Sequence, residues 1–288
     1  MITVIIPLYN KERSILKTVS SVLTQSFTEF ELLIVNDGST DNSLQMVSSL
    51  KDPRLRIINK ENGGVSSARN TGIKEATNEW IALLDADDLW KEDHLKNFYN
   101  SINQNPEARV ISSGYQVAKA DGTILTSTAV SKEGFYNFFQ ISLQKRFIVN
   151  SSSIIFNKSF YKNLLFNEQL SKGEDLWFWE QLAKRAPFYL LPDFTSIYID
   201  DSENKAVYQP HPLEKTHVYL IDSKLITDKH QKKYYINLIL HSVFLFFEKQ
   251  QTLKDALKIY QKHRGFIGLK GFYVFARIIF QKRFNDKI

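Results

Sequence analysis

Apolar positions along the first ninety residues switch between two periods. Short apolar runs at 3–6, 31–35, 55–58 and 80–84 alternate with stretches whose apolar residues return at helical spacing. Those stretches carry Ile15, Val19, Val22 and Leu23, then Leu44, Val47 and Leu50, then Ala68, Ile73 and Ala76. Runs of four or five bounded by polar breaks read as strands, and the 3.6-residue return reads as helix. The β-α-β-α-β-α-β order predicts an α/β fold with a mostly parallel central sheet flanked by helices. Each strand runs into a polar loop: Pro7-Leu8-Tyr9-Asn10, Asn36-Asp37-Gly38-Ser39, Asn62-Gly63-Gly64 and Asp85-Ala86-Asp87-Asp88. Ligands on such sheets bind beyond the carboxyl ends of the strands, so the four loops are expected to meet at one rim. Thr40 or Asp41 is placed to cap the second helix.

Beyond Asp88 the pattern loosens. A helix is expected over 94–103, with short strands at 110–113, 115–118 and 154–156. Residues 174–184 read as a helix with Leu176, Trp179 and Leu182 inward, followed by short strands at 189–191 and 195–199. From about Pro212 the chain reads as helical, and the polar stretch 202–212 marks a soft boundary. The expected division is a region 1–210, split into halves 1–105 and 106–210, and a helical extension 211–288.

The chemistry gathers in the acidic loops. Alternate strand residues share a face, so Asp85 and Asp87 point to one side. Two hard oxygen donors at that spacing suit Mn²⁺ or Mg²⁺, and such an ion commonly holds a substrate phosphate. Gly173-Glu174-Asp175 supplies further carboxylates on another element. Asp175 stands at a predicted helix start, where the dipole favours a negative charge. Glu174 faces elsewhere, because adjacent helix residues do not share a face. Each feature alone has a plainer reading: a turn and cap for Asp37-Gly38-Ser39, a solvated strand end for 85–88, a first helical turn for 173–175, and a surface position for Arg69. Trp177 and Trp179 suit either a core or a shelf for an acceptor. His94, His211, His217 and His241 read as structural or surface residues rather than ligands.

Composition narrows the classes. With 288 residues, 43% hydrophobic and 24% charged, the chain is ordinary globular material. It has no Cys, which excludes disulfides and thiolate metal sites. The first residues enter an apolar strand without a basic, signal-like start, and no apolar run reaches the length of a membrane span, so a cytoplasmic protein is expected. No Gly-X-X-X-X-Gly-Lys-Ser/Thr or Gly-X-Gly-X-X-Gly loop is present, which argues against a nucleotidyl or phosphoryl transferase and a dinucleotide oxidoreductase. A glycoside hydrolase would use two carboxylates but not a metal motif.

Residues 249–288 hold ten Lys/Arg against two Asp/Glu, an excess of +8 in a chain whose net charge is +6. Within 270–284, Phe272, Phe275, Ala276, Ile279 and Phe280 share a helical stripe, with Arg277, Gln281, Lys282 and Arg283 elsewhere. Such a basic amphipathic helix suits an anionic membrane surface through residues 265–288. Packing on the catalytic region or on a second subunit is the alternative, which leaves an oligomer open. A nucleic-acid partner is not expected, because the tail carries no recognised motif and its aromatics sit at helical spacing.

Five motifs in order resemble family 2 glycosyltransferases: Val4-Ile5-Ile6-Pro7-Leu8-Tyr9-Asn10-Lys11-Glu12, Leu33-Ile34-Val35-Asn36-Asp37-Gly38-Ser39-Thr40-Asp41, Asn62-Gly63-Gly64 with Ala68-Arg69-Asn70-Thr71-Gly72, Asp85-Ala86-Asp87-Asp88, and Gly173-Glu174-Asp175-Leu176-Trp177-Phe178-Trp179. Together they cover roughly residues 1–195. The resemblance implies an inverting enzyme of GT-A fold, a nucleotide-sugar donor expected to be UDP-linked, and a divalent cation. It also implies a saccharide or lipid-linked saccharide acceptor in surface-glycan synthesis, with 1–105 as the nucleotide-binding half and 106–210 as the acceptor-binding half. A non-catalytic nucleotide-sugar binder is the remaining alternative. By position, Pro7 and Tyr9 border the nucleobase, Asp37 accepts from a uracil N–H, and Arg69 contacts the nucleotide or its diphosphate. Asp85 meets the ribose or the metal shell, Asp87 binds the metal, and Asp175 is the catalytic base. Glu12, Asn62, Glu174 and Trp177 complete the expected substrate-binding set, with Glu174 reaching the acceptor. One departure stands out: Ser196-Ile197-Tyr198-Ile199-Asp200-Asp201 lacks the Arg and His of the Tyr-Arg-X-His-like stretch that many members carry, so no supplementary metal or diphosphate contact is expected there.

Overall fold

Strand β1 (Ile2–Leu8) is the axis of the nucleotide-side sheet, and its side chains are buried almost throughout. A strand covered on both faces can be apolar at every position, which explains the continuous run. The computed structural model describes residues 1–127, 130–144, 148–200, 211–250 and 253–285; for 247–250, 253, 275 and 277–285 it describes the backbone alone.

In chain order the elements are α1 (Ile15–Leu23), β2 (Phe30–Asp37), α2 (Ser43–Ser48), β3 (Leu55–Lys60), α3 (Val65–Glu75), β4 (Trp80–Leu83), β5 (Leu89–Trp90), α4 (His94–Gln104), β6 (Val110–Ala118), β7 (Ile124–Thr126) and β8 (Gly134–Tyr136). Then come α5 (Phe138–Gln144), β9 (Ile154–Asn157), α6 (Glu174–Ala183), β10 (Phe188–Ile199), α7 (His217–Leu220), α8 (Lys229–Gln250) and α9 (Leu253–Asn285). Among the described residues the sheet runs β3-β2-β1-β4-β9-β6-β10-β5, with β7 on β6 and β8 on β10. The first four strands are parallel, with Ile5 opposite Leu33 on one side and Leu83 on the other. On one face Ile15, Val19 and Val22 of α1 join Val4, Ile6 and Leu8 in the core. On the other, α3 approaches so closely that a Cβ on Gly72 would lie 2.5 Å from Ile5 Cγ2.

The antiparallel strand β9 sits between β4 and β6, with Ile81 opposite Phe156 and Ile111 opposite Ile155. Because it runs backwards, its beginning lies beside the carboxyl end of β4. The 3-10 turn Ser151–Ser153 just before it is thereby delivered to the rim. The two short strands expected at 110–113 and 115–118 are one, and those at 189–191 and 195–199 are one long β10 with register shifts against β6. On α6 it is Phe178, Trp179, Glu180 and Leu182 that are buried, whereas Leu176 is half-buried. Phe178 stacks on Phe166 at 4.0 Å and thus takes the inward place expected for Leu176.

The chain forms two compact units. One comprises 1–138, 145–168 and 174–209, which includes the whole sheet; the other comprises 139–144, 169–173 and 210–288. The helical unit thus takes in two short stretches that the sequence assigned to the catalytic region. Phe139 packs against the rings of Tyr234 and Tyr235, and Lys172 forms a bridge with Thr216. Within this unit His263 Nε2 lies 3.0 Å from the Val218 carbonyl, and α9 breaks its helical path at Gly268, where φ is +56°. The soft boundary at 202–212 lies mostly outside the described residues, as do the Phe275, Ile279 and Phe280 side chains of the expected apolar stripe. No helix among the described residues is long and apolar enough to cross a membrane.

Gly72 gives the fold a direct test. Replacing it with Ala drives a methyl into buried Ile5, and overpacking of this kind costs about 1–3 kcal/mol. Chemical denaturation of Gly72→Ala should show that loss.

Candidate active site

Three carboxylates at the carboxyl ends of parallel strands each hold a cation. Asp37, the last residue of β2, is almost fully buried and accepts from Lys60 Nζ at 2.6 Å and from the Gly63 and Gly64 amides at 3.0 and 2.8 Å. Asp85 accepts from Arg69 Nη2 at 2.7 Å. Asp87 accepts from Lys11 Nζ at 2.7 Å. The loop bearing the last two is fixed from α1, where Ser14 and Thr18 hydroxyls both donate to the Ala86 carbonyl.

Arg69 is the hub. Its side chain is only 4% exposed, yet besides Asp85 it reaches Ser151 Oγ at 3.0 Å and Glu174 Oε1 at 3.8 Å. Burial opposes its charge, but Asp85 and Glu174 outweigh that and hold the guanidinium above its usual pKa. Its Nε and Nη1 make no hydrogen bond among the described residues. Buried donors without acceptors are rare enough to call for an explanation.

Asp88, the fourth residue of the acidic loop, is structural. It accepts from Ser152 Oγ at 2.6 Å and from the Ile199 amide at 3.1 Å, locking the loop to β10. Burial, then the charges of Asp85 and Asp87, drive its carboxyl well above the usual range. Burial and then the Asp175 charge push Glu174 up to about 7, against the pull of Arg69. Asp175 Oδ1 accepts from the Leu176 amide at 2.6 Å, and its charge acts on both Arg69 and Tyr115. Burial, followed by the charges of Asp88 and Asp175, pushes the Tyr115 hydroxyl up to about 12.

The structure therefore joins Arg69, Asp85 and Glu174 directly, with Asp175 next along α6 and Asp87 in the same loop as Asp85. Asp37 belongs to the neighbouring strand end, linked through the β1 turn: the Asn10 amide donates to Ser39 Oγ, and the Thr40 amide donates to Asn10 Oδ1. Pro7 lies in β1, Tyr9 at its mouth is 44% exposed, and Asn62 is exposed with its amide nitrogen 3.0 Å from where a Cβ on Gly38 would lie. Glu12 is turned away into the α2 cap, accepting from the Asn42 amide and side chain at 3.1 and 2.9 Å. Trp177 is half-buried on α6. His94 is fully buried, stacked on Trp90 at 4.3 Å, and burial pushes its imidazole down to about 3.

Sequence reasoning missed the partners rather than the acids. Lys11 and Lys60 lie at strand ends and carry the only readable signal, a basic residue beside each acidic loop. Ser151, Ser152 and Tyr115 reach the rim through the reversed strand β9 and its neighbour β6, which no local pattern announces.

The sequence pattern described as Glycosyl transferase family 2 matches residues 3–165, more than half of the chain. The chain belongs to that family. An uncharacterized glycosyltransferase of Rickettsia felis is 33% identical over 187 residues, covering 64% of this chain and 30% of that protein. Glycosyltransferase GlyG of Streptococcus pneumoniae is 34% identical over 125 residues, covering 42% of each. The matched part of the chain thus spans less than half the length of these curated relatives. Among solved structures, S. aureus TarS 1–349 in complex with UDP-GlcNAc superposes with a TM-score of 0.66 at 19% identity, covering 96% of this chain and 79% of that one. That likeness establishes the GT-A architecture of this family member.

Glu174 yields a pH test. Its pKa is raised in the folded state, so its contribution favours folding below the ordinary carboxyl pKa and is lost as pH rises towards 7. Glu174→Gln abolishes that dependence. Between pH 5 and pH 8 the Tm of the variant should rise relative to wild type by roughly 2–4 °C, on the scale of one kcal/mol.

Proposed function

We propose that this chain transfers a sugar from a UDP-linked donor to a hydroxyl of a saccharide or lipid-linked saccharide, inverting the sugar carbon, with Mn²⁺ or Mg²⁺ held at Asp87. The reading is supported above all by Arg69, a buried guanidinium with unspent donors that bridges the Asp85 loop and the start of α6. A TarS structure with bound UDP, and another with UDP-GlcNAc, support a uridine diphosphate donor by analogy of fold.

The residues suit each part of the reaction. Asp37 closes the base end of the cleft, held by Lys60 and two glycine amides. Among the described residues no three His, Asp or Glu side chains form a complete metal cage. Asp87 and Asp85 nonetheless fit a hard cation, because such ions commonly take one or two carboxylates and fill their remaining positions with phosphate and water. When bound, the cation would neutralise charge developing on the departing diphosphate. Asp175 accepts the proton of the attacking hydroxyl as the new bond from that oxygen to the sugar carbon forms and the bond to the diphosphate oxygen breaks. A single displacement of this kind inverts the carbon. Arg69 keeps Asp85 and Glu174 in register, and Tyr115, protonated at neutral pH, lies close enough to Asp175 to feel its charge.

The helical unit supports an anionic membrane surface as a further partner. Leu269, Phe272 and Tyr273 on α9 are 88%, 62% and 77% exposed, in a segment of strong positive charge. Phe272→Ser with Tyr273→Ser should reduce co-sedimentation with anionic vesicles; sedimentation equal to wild type counts against this partner.

A thermal-shift panel of nucleotide-sugars with and without Mn²⁺ identifies the donor, since a ligand selective for the folded state raises its stability. With that donor, Asp175→Asn should lower turnover by about 10²-fold or more, the usual scale of lost base catalysis, while UDP affinity stays within about twofold. Parallel loss of UDP affinity overturns the assignment of Asp175 as base.

A further inference from the structure

Asp87 is occupied by a cation that belongs to the protein. Lys11 Nζ lies 2.7 Å from its Oδ2, and the two side chains are 13% and 16% exposed. Both ends of this pair are fixed by backbone contacts. The Lys11 amide donates to Ser43 Oγ at 2.8 Å, and its carbonyl accepts from the Ser14 and Ile15 amides at 3.1 and 2.9 Å. Asn10, immediately before it, holds a φ of 50°, a conformation pinned by Ser39 and Thr40. On the other side, the Ser14 and Thr18 hydroxyls hold the Ala86 carbonyl. A lysine ammonium on a long, flexible stem thus rises from an immobile root beside the carboxylate assigned to the metal.

Arg69 and Lys60 are further cations at the rim. Arg69 is bound to Ser151 and faces Glu174 as well as Asp85, and Lys60 also donates to the Glu61 carbonyl. Lys11 is half-buried, and its ammonium stands beside the carboxylate at which the proposed diphosphate site is centred.

We infer that Lys11 is a nucleotide-binding residue with two stations. In the empty site it neutralises Asp87 and so weakens the binding of a divalent cation on its own. When the donor arrives, its ammonium moves from the carboxylate to a diphosphate oxygen and leaves Asp87 to the metal. Cation and nucleotide then bind cooperatively, because each removes the partner that the other must displace. This inference rests on the proposed diphosphate site and deepens it.

Isothermal titration of the full chain separates the possibilities. Mn²⁺ alone should bind Lys11→Met about fivefold or more tightly than wild type, the scale of one partly screened ion pair. In EDTA, UDP should bind the same variant about tenfold more weakly, because a charge-assisted phosphate contact is gone. Lys17→Met, which removes an exposed charge from α1, should match wild type in both titrations, and Lys11→Gln repeats the test if the Met variant fails to fold. An unchanged Mn²⁺ affinity or an unchanged metal-free UDP affinity in the Lys11 variants overturns the inference, as do equal shifts in Lys17→Met. A wild type that takes up no Mn²⁺ with or without UDP refutes the metal reading of the site instead; the EDTA titration then decides whether Lys11 binds nucleotide.

Discussion

Carboxylates crowd the rim where β1, β2 and β4 end, and like charges brought together out of water repel strongly. Everything else at the site answers that repulsion. Asp37, Asp85 and Asp87 each receive a cation at 2.6–2.7 Å, from Lys60, Arg69 and Lys11 respectively. Asp88, which is almost fully buried, and Glu174, which stands beside Asp175, respond by holding their protons more tightly. The site therefore combines balanced ion pairs with acids whose charge is suppressed. A ligand that is itself both anionic and cation-bearing can exchange with such pairs at little electrostatic cost.

The geometry behind this balance comes from the sheet. Parallel strands deliver their carboxyl ends to one edge, and α3 presses Gly72 onto Ile5, which fixes the height of Arg69 one turn earlier on the same helix. The reversed strand β9 then brings Ser151 and Ser152 in from the opposite chain direction, where they receive Arg69 and hold Asp88. Asp37, Asp85, Asp87, Asp88 and Glu174 are thus each held by a contact from an element remote in sequence.

The alternating half of the chain was legible because its signals are local. Apolar runs, helical returns and polar breaks over 1–90 each reflect a single element, and the parallel order follows from their alternation. Past residue 105 the organising contacts are long-range. Nothing near Ile154 says that its strand runs antiparallel between β4 and β6, and nothing near Phe139 says that it packs with Tyr234 and Tyr235. The same divide runs through the site: Asp37, Asp85, Asp87 and Asp175 stand in motifs, whereas Lys11, Lys60, Ser151 and Tyr115 gain meaning only from their neighbours. Glu12 shows the converse. It lies inside a motif, but the Asn42 amide and side chain draw it into the start of a helix.

The orientation of β9 also bears on how such a scaffold can diversify. Its pairing with β4 and β6 involves only Ile154–Asn157, and the rim contacts that precede it come from a three-residue turn. Among the described residues between the end of β6 and Asn150, β7 pairs with β6 and β8 with β10, and none pairs with β1, β2, β3 or β4. Insertions or deletions there can reshape the ground around the cleft while the nucleotide-side strands keep their register.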